Sequence, residues 1–134
     1  MSEVITDKLT GRATANDVTV TVGATATQSL EQGLAKAWID KPTDGASIND
    51  SFNVSSLDDD GTGQFGVNVT NAFSSASYAP TATCVNGSST GLFNCLVETK
   101  TSSGLEAITI YVTASVNRTY LDRQAYLAVD GDLA

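Results

Sequence analysis

The chain has 134 residues, 41% of them hydrophobic, which is the size of one domain with a single core. Its 15 acidic and 7 basic residues give a net charge of −8, and this field repels nucleic-acid phosphates and anionic lipids. No apolar run approaches the roughly 20 residues of a membrane-spanning helix. The N-terminus lacks the basic start and apolar middle of a secretory signal. We therefore expect folding in a cytoplasm, no nucleic-acid partner and no membrane insertion.

The first part of the chain is predicted to be an arm. We assign residues 1–26 to an N-terminal attachment arm and residues 27–134 to a β-sandwich domain. Within the arm, Val18, Val20 and Val22 alternate with threonines, which predicts one strand. A lone strand is unstable, so we expect it to pair with the body of the domain, with a second subunit or with a larger structure.

Apolar residues at a spacing of four predict one short helix at the start of the domain. Leu30, Leu34 and Trp38 form a single stripe on a helix over about 28–37. Gly33 in its middle costs about 1 kcal/mol relative to alanine, so the helix needs support from packing. Two interpretations stay open: the stripe packs on its own domain, or it packs around a symmetry axis. The candidate subunit-interface residues are Leu30, Leu34, Trp38, Val18 and Val20.

The clearest element is a β-hairpin. Phe52 and Val54 lie on one predicted strand, and Phe65 and Val67 lie on the next, each alternating with polar residues or glycine. The acidic segment 58–63 between them contains glycines that allow a tight reversal.

Further strands follow along the chain, separated by turns rich in Gly, Asn, Ser and Asp. This pattern is typical of an antiparallel sandwich or jelly roll. The predicted fold is therefore mainly β, with a short N-terminal arm and one short helix. The additional predicted strands cover 37–40, 78–85, 92–99, 105–115 and 120–129.

Two cysteines flank segment 86–91, which we predict to be the bend of a hairpin. In that arrangement Cys84 and Cys95 lie close to facing positions, where a disulfide is sterically allowed. A reducing cytoplasm favours free thiols during folding. Both interpretations stay open: a Cys84–Cys95 disulfide, or buried thiols without chemical function.

The sequence contains few candidates for catalytic or metal-binding residues. The absence of histidine excludes Ser-His-Asp and Cys-His catalysis and histidine-based metal sites. Asp58, Asp60 and Thr62 imitate the start of a calcium loop, but Val69 occupies the position of the closing carboxylate, so we interpret the segment as a solvated turn. We predict no catalytic residue, no metal, no cofactor and no enzymatic activity.

Several segments in fixed order carry a family resemblance. They are MSEVITDKLTGRATANDVTVTV, QSLEQGLAKAWID, INDSFNVSSLDDDGTGQFGVNVTNAFSSASYA and the terminal YLAVDGDLA. Together they resemble a group of small phage-encoded proteins, common in marine and cyanobacterial phages, that look like tail-fibre or other virion appendage proteins. The segment 80–119 lies outside this resemblance, and variation there would suit a surface that meets a host receptor.

The resemblance implies a non-enzymatic virion protein, most simply a tail-fibre or fibre-tip component that contacts a host-surface glycan or protein. It also implies a homotrimer, with the arm bound to other virion proteins, made in the host cytoplasm and released by lysis. Two alternatives stay open: a capsid decoration or cement protein that bridges capsomers, and a carbohydrate-binding or hydrolytic module.

Overall fold

The structure is a computed structural model that describes residues 18–22, 26–30, 33–44, 47–85, 92–113 and 116–134. By its internal contacts the chain divides into two units, Met1–Leu34 and Ala35–Ala134. The described strands are β1 (Thr19–Val22), β2 (Ala26–Ser29), β3 (Ala37–Lys41), β4 (Asp50–Phe52), β5 (Val54–Gly61), β6 (Gln64–Val69), β7 (Ala79–Cys84), β8 (Leu92–Thr101), β9 (Gly104–Thr113), β10 (Val116–Tyr120) and β11 (Ala125–Asp130).

The N-terminal unit contains a small hairpin. β1 pairs antiparallel with β2, and the backbone N–H of Leu30 donates to the carbonyl of Val18 at 2.8 Å. The predicted arm strand is therefore present, and its partner is the segment that follows it in the same chain.

The predicted helix over 28–37 is wrong in the described residues. β2 covers its start, Gly33 and Leu34 lie in a turn and a bend, and Ala37 begins β3; residues 31 and 32 lie outside the described part. The spacing of four is compatible with both patterns, because every fourth residue also falls on one face of a strand. The central Gly33 is exposed and lowers the helix propensity of the segment.

The second unit contains a sheet that we call the Trp38 sheet, with strand order β4-β3-β11-β7. All its pairs are antiparallel, and each register runs without a shift. The pairing of β11 between β3 and β7 places the end of the chain in the middle of the sheet.

The other sheet, which we call the Ile108 sheet, is organised around β9. One edge of β9 pairs with β8. The opposite edge pairs with β6 over Gly104–Ile108 and then with β10 from Ile110 onward. β5 completes the sheet beside β6. The strands β6 and β10 therefore meet end to end along one edge of β9.

A corner connects the two sheets at Asn53. Its φ of 57° lies in the left-handed region, which asparagine tolerates better than most residues, and it turns β4 of one sheet into β5 of the other. Its side chain holds the corner by donating to the carbonyl of Lys36 at 2.9 Å and by accepting from the N–H of Asn71 at 2.7 Å.

The predicted hairpin is present as β5 and β6, with the reversal at Thr62 and Gly63. Two details differ from the sequence prediction. Asp58 and its acidic neighbours extend β5 instead of forming the turn, and Phe52 belongs to the other sheet because of the Asn53 corner.

The mainly β, antiparallel fold predicted from the sequence is confirmed. The two sheets curl into a half-barrel, consistent with a β-sandwich, and enclose one apolar core. Its buried members are Ala37, Ile39, Phe65, Val67, Phe73, Tyr78, Cys95, Leu105, Ala107, Ala125, Leu127 and Val129.

Candidate functional site

The candidate site is the outward face of the Trp38 sheet. On β3, Ala37, Ile39 and Lys41 point inward and are buried, so the period of two sends Trp38 and Asp40 outward. The same alternation on β11 buries its odd-numbered positions and turns the even-numbered ones to the outer face.

The register places the outward residues in two rows across the sheet. Residues directly opposite one another on adjacent strands lie about 5 Å apart, so each row is a set of neighbours. The first row is Phe52, Trp38, Ala128 and Thr81, and the second row is Asp50, Asp40, Tyr126 and Thr83.

Three aromatic side chains of these rows are exposed to solvent. Trp38 is 38% exposed, Tyr126 is 41% and Phe52 is 53%. Ala128 lies beside Trp38, and its small side chain leaves a groove of about 330 Å³ between the Trp38 and Tyr126 positions. This volume falls at the lower end of the roughly 300–1,000 Å³ of small-ligand sites.

Polar groups line the same groove. The Asp40 carboxylate accepts a hydrogen bond from the Gln124 amide at 2.9 Å, which fixes its position. Thr81 and Thr83 line the opposite side, and each hydroxyl is both a donor and an acceptor. The two rows contain two carboxylates and no basic side chain. The face therefore combines aromatic surface with hydrogen-bonding groups of neutral or negative charge.

The predicted subunit-interface residues are divided between the two units. Trp38 lies on the candidate face in the second unit, whereas Leu30 and Leu34 belong to the first. Val20, in β1, is 45% exposed, and Val18 directly precedes that strand. Their role in a subunit interface stays a prediction.

The two cysteines lie in different sheets, Cys84 on β7 and Cys95 on β8, so these strands are not the two arms of a paired hairpin. Both thiols are free in this structure. Burial raises the pKa of Cys95 to about 12 and also raises the pKa of Cys84. Thiols in this state are poor nucleophiles. A disulfide between them stays a prediction.

Acidic residues gather on the outward face of the Ile108 sheet. Asp58 and Glu106 lie on either side of Gly66, where an added Cβ would be 3.1 Å from a Glu106 carboxylate oxygen. Burial raises the pKa of Glu106, and a hydrogen bond with Asp60 and the charges of Asp60 and Asp58 raise it further. Among the described residues, no group of three or more His, Cys, Asp or Glu side chains has a geometry that would hold a metal ion.

Lys41 is a buried charge at the end of β3. Its ammonium donates to the carbonyls of Pro42 at 3.0 Å and Asp44 at 2.7 Å, and it lies 5.0 Å from the centre of the Phe65 ring. Burial lowers the pKa of Lys41, although the nearby carboxylates oppose this effect. These contacts hold the β3–β4 connection onto the end of the sheet, which is a structural role.

Sequence reasoning named Trp38 but not its companions on this face. Tyr126, Asp40, Thr81 and Thr83 come from three strands, and only the pairing order of the sheet brings them together. The sequence signal for these residues lies in the segments AWID and AYLAVD. In each segment the aromatic residue alternates with small or aliphatic residues, so it falls on the other face of the strand.

Comparison with protein-family models, with curated proteins and with solved structures gives no match for this chain. In the described part of the chain, no helix has the length and hydropathy needed to cross a bilayer.

Proposed function

We propose that this chain is a non-enzymatic structural protein of a phage virion, a tail-fibre or fibre-tip component that contacts the host surface. The observation that carries the contact role is the outward face of the Trp38 sheet, where Trp38, Phe52 and Tyr126 are exposed together. The resemblance of the sequence to small phage appendage proteins supports the virion role.

The exposed aromatic face fits recognition better than packing within the domain. Isolated exposed apolar side chains are normal on a protein surface, but a cluster of them commonly marks a binding surface. Trp and Tyr suit such a surface because each combines a large apolar body with a polar group at its edge. The face therefore supports a domain that binds by shape and stacking.

The first unit suits an attachment role in this proposal. In the described residues its β1–β2 hairpin has two strands, and a hairpin of that size is at best marginally stable in water by itself. Contact with other virion proteins would bury more of its surface, and assembly as a homotrimer would do the same.

A capsid decoration role is the second candidate, and a specific observation favours it. Leu92, on β8, is 77% exposed and Leu96 on the same strand is 37% exposed. Apolar residues at a sheet edge suit a lasting contact with another protein, such as neighbouring capsomers.

Antibodies against the purified chain, bound to intact virions and viewed by immunogold electron microscopy, test the two roles. Gold at the end of the tail supports the fibre role, and gold spread over the capsid supports decoration instead. The absence of gold on particles that are otherwise intact would contradict both roles.

An adsorption assay tests the contact role separately. Excess purified protein should slow phage adsorption to host cells, and the Trp38→Ala variant should not. Cleavage of host polysaccharide by the purified protein would contradict a non-enzymatic role.

A further inference from the structure

We infer that the outward face of the Trp38 sheet binds a neutral saccharide, with sugar rings stacked on Trp38 and Tyr126. This inference names the ligand class for the surface in the proposed function and rests on that function for its biological setting. The binding itself is argued from the groove.

The aromatic residues supply the apolar part of sugar recognition. A sugar ring has a face of C–H groups, and these carry partial positive charge that is attracted to the negative face of an aromatic ring. Trp38 and Tyr126 lie on adjacent strands at diagonal positions, about 7–8 Å apart at their backbones. Ala128 lies between them and keeps the floor of the groove low enough for a ring to approach.

The polar residues supply the hydroxyl contacts. Asp40 presents a carboxylate that Gln124 holds through one oxygen, at 2.9 Å, which leaves the other oxygen as an acceptor. Thr81 and Thr83 line the groove beside Ala128 and Tyr126. A saccharide offers hydroxyls around the edge of each ring, so stacking and hydrogen bonding are satisfied by the same molecule.

Charge selects neutral saccharides over anionic ones. The two rows contain Asp40 and Asp50 and no Lys or Arg, so a sulfated or sialylated chain would bring like charges together. The same charges disfavour a second copy of this chain as the occupant, because self-pairing of the faces would bring the carboxylates of the two copies close to one another.

The chain has a single tryptophan, so the fluorescence of Trp38 reports on the site directly. Wild-type protein is titrated with maltohexaose, cellohexaose, the fully N-acetylated chitohexaose and mannohexaose. We expect a saturable change in emission with at least one of them. Tyr126→Ala should weaken that binding about tenfold, the loss that follows from removing one stacking contact, and Asp40→Asn should weaken it severalfold.

Matched controls separate the site from general effects. Tyr120, on the Ile108 sheet, is 38% exposed, the same fraction as Trp38, and Tyr120→Ala should leave saccharide affinity unchanged. Binding by Trp38→Ala is followed by calorimetry, and circular dichroism and thermal unfolding confirm that each variant is folded. If Trp38→Ala does not fold, Trp38→Phe and Tyr126→Ala carry the test.

Several results would overturn the inference. These are no emission change with any of the neutral hexaoses, an equal loss of affinity in Tyr120→Ala, or tighter binding of sialylated or sulfated oligosaccharides. Light scattering that shows a wild-type dimer and a Trp38→Ala monomer would assign the face to a second copy. Saccharide binding by a protein that immunogold does not find on virions would contradict the proposed function alone, and labelled virions without saccharide binding would contradict only the inference.

Discussion

The central strands of the two sheets treat their outward apolar residues in opposite ways. On the Trp38 sheet, Trp38 and Tyr126 remain 38% and 41% exposed. On the Ile108 sheet, Ile108 and Ile110 are only 2% and 6% exposed, although they point away from the core that contains Leu105 and Ala107 on the same strand. Alternation alone therefore does not determine which outward residues meet solvent.

The neighbours across the strands explain the difference. Ile108 lies between Leu96 and Gln64, and Ile110 lies between Asn94 and Tyr120. These neighbours have medium or large side chains, and an ion pair spans the same strand. The Arg118 guanidinium on β10 reaches the Glu98 carboxylate on β8 at 2.7 Å, across β9.

Trp38 and Tyr126 each have at least one small or polar neighbour. Trp38 lies between Phe52 and Ala128, and Tyr126 lies between Asp40 and Thr83. The short neighbours leave part of each aromatic ring exposed. The central strand of the Ile108 sheet therefore buries its outward isoleucines, whereas the central strands of the Trp38 sheet leave their outward aromatic residues exposed.

The largest expected effect is at the junction of the Ile108 sheet. Gly63 has a φ of +68°, and an added Cβ would be 2.6 Å from the Leu121 nitrogen and 2.7 Å from the Thr109 carbonyl oxygen. Its own N–H donates to the Asp122 carboxylate at 2.7 Å. We expect Gly63→Ala to lower the free energy of unfolding by about 4 kcal/mol, measured by urea denaturation, because backbone atoms cannot give way as side chains do.

Gly61→Ala is the matched control. Gly61 also has a positive φ, +119°, but its added Cβ would meet only the Gln64 side-chain nitrogen, at 4.0 Å. We expect this variant to lower the free energy of unfolding by about 1–3 kcal/mol, because it introduces backbone strain without the clash. An equal loss of unfolding free energy in Gly61→Ala and Gly63→Ala would show that the contacts with Leu121 and Thr109 add nothing to the backbone strain.

The second prediction compares the two faces directly. Ile108→Ala should lower the free energy of unfolding by about 3 kcal/mol, because it removes a nearly buried side chain and leaves a cavity. Trp38→Ala should cost less, about 2 kcal/mol, because Trp38 is 38% exposed and part of its side chain already meets water. Equal losses in the two variants would contradict the distinction between the faces.

The third prediction concerns the two cysteines, which lie one in each sheet. The unfolded Cys95 thiol loses its proton near its ordinary pKa of 9.0, whereas burial keeps the folded thiol protonated up to about 12. Rising pH therefore favours the unfolded state. We expect the part of the unfolding free energy due to Cys95 to fall by about 1 kcal/mol between pH 9 and pH 10.

Comparison with Cys95→Ala at each pH isolates this effect from the other ionisable groups of the chain. Cys84, which is half-buried on β7, is the reference thiol for a labelling experiment. Alkylation at pH 8 followed by mass spectrometry should label Cys84 well before Cys95. Labelling of both thiols at one rate would contradict this account.

Much of the β architecture was predictable because alternation is a local signal. β3, β7, β8 and β9 were each predicted within a few residues, and so was the β5–β6 hairpin. The errors came where local signals conflict. The spacing of Leu30, Leu34 and Trp38 fits a helix and a strand equally, and the corner at Asn53 depends on hydrogen bonds to residues distant in sequence.

The candidate site was less predictable than the fold because it depends on strand order. Trp38 and Tyr126 are far apart in the chain and become neighbours only because β11 enters the sheet beside β3. A sequence pattern assigns each residue to a face, but it does not say which strands adjoin. The contrast between the covered Ile108 and the open Trp38 has the same origin, since it is set by cross-strand neighbours.

The smallest expected effect concerns charge on the Ile108 sheet. Burial, the hydrogen bond with Asp60 and the nearby Asp58 raise the pKa of Glu106 above its ordinary value of 4.5. As pH rises above 4.5, the unfolded state loses this proton first, so Glu106 lowers stability toward neutral pH. Glu106→Gln should therefore raise the free energy of unfolding at pH 7 by about 0.5 kcal/mol after solvent screening.

The gain from Glu106→Gln should disappear at pH 4, where the carboxyl of the wild type is already protonated in the folded state. Asp50→Asn removes the same charge from the Trp38 sheet and is the matched control. Asp50 lies outside the cluster around Gly66, and its carboxylate accepts from the N–H of Ser51 at 2.8 Å, so its removal should bring no gain. An equal gain from both variants would mean that stability responds to net charge alone, and the two outward faces would then not differ electrostatically.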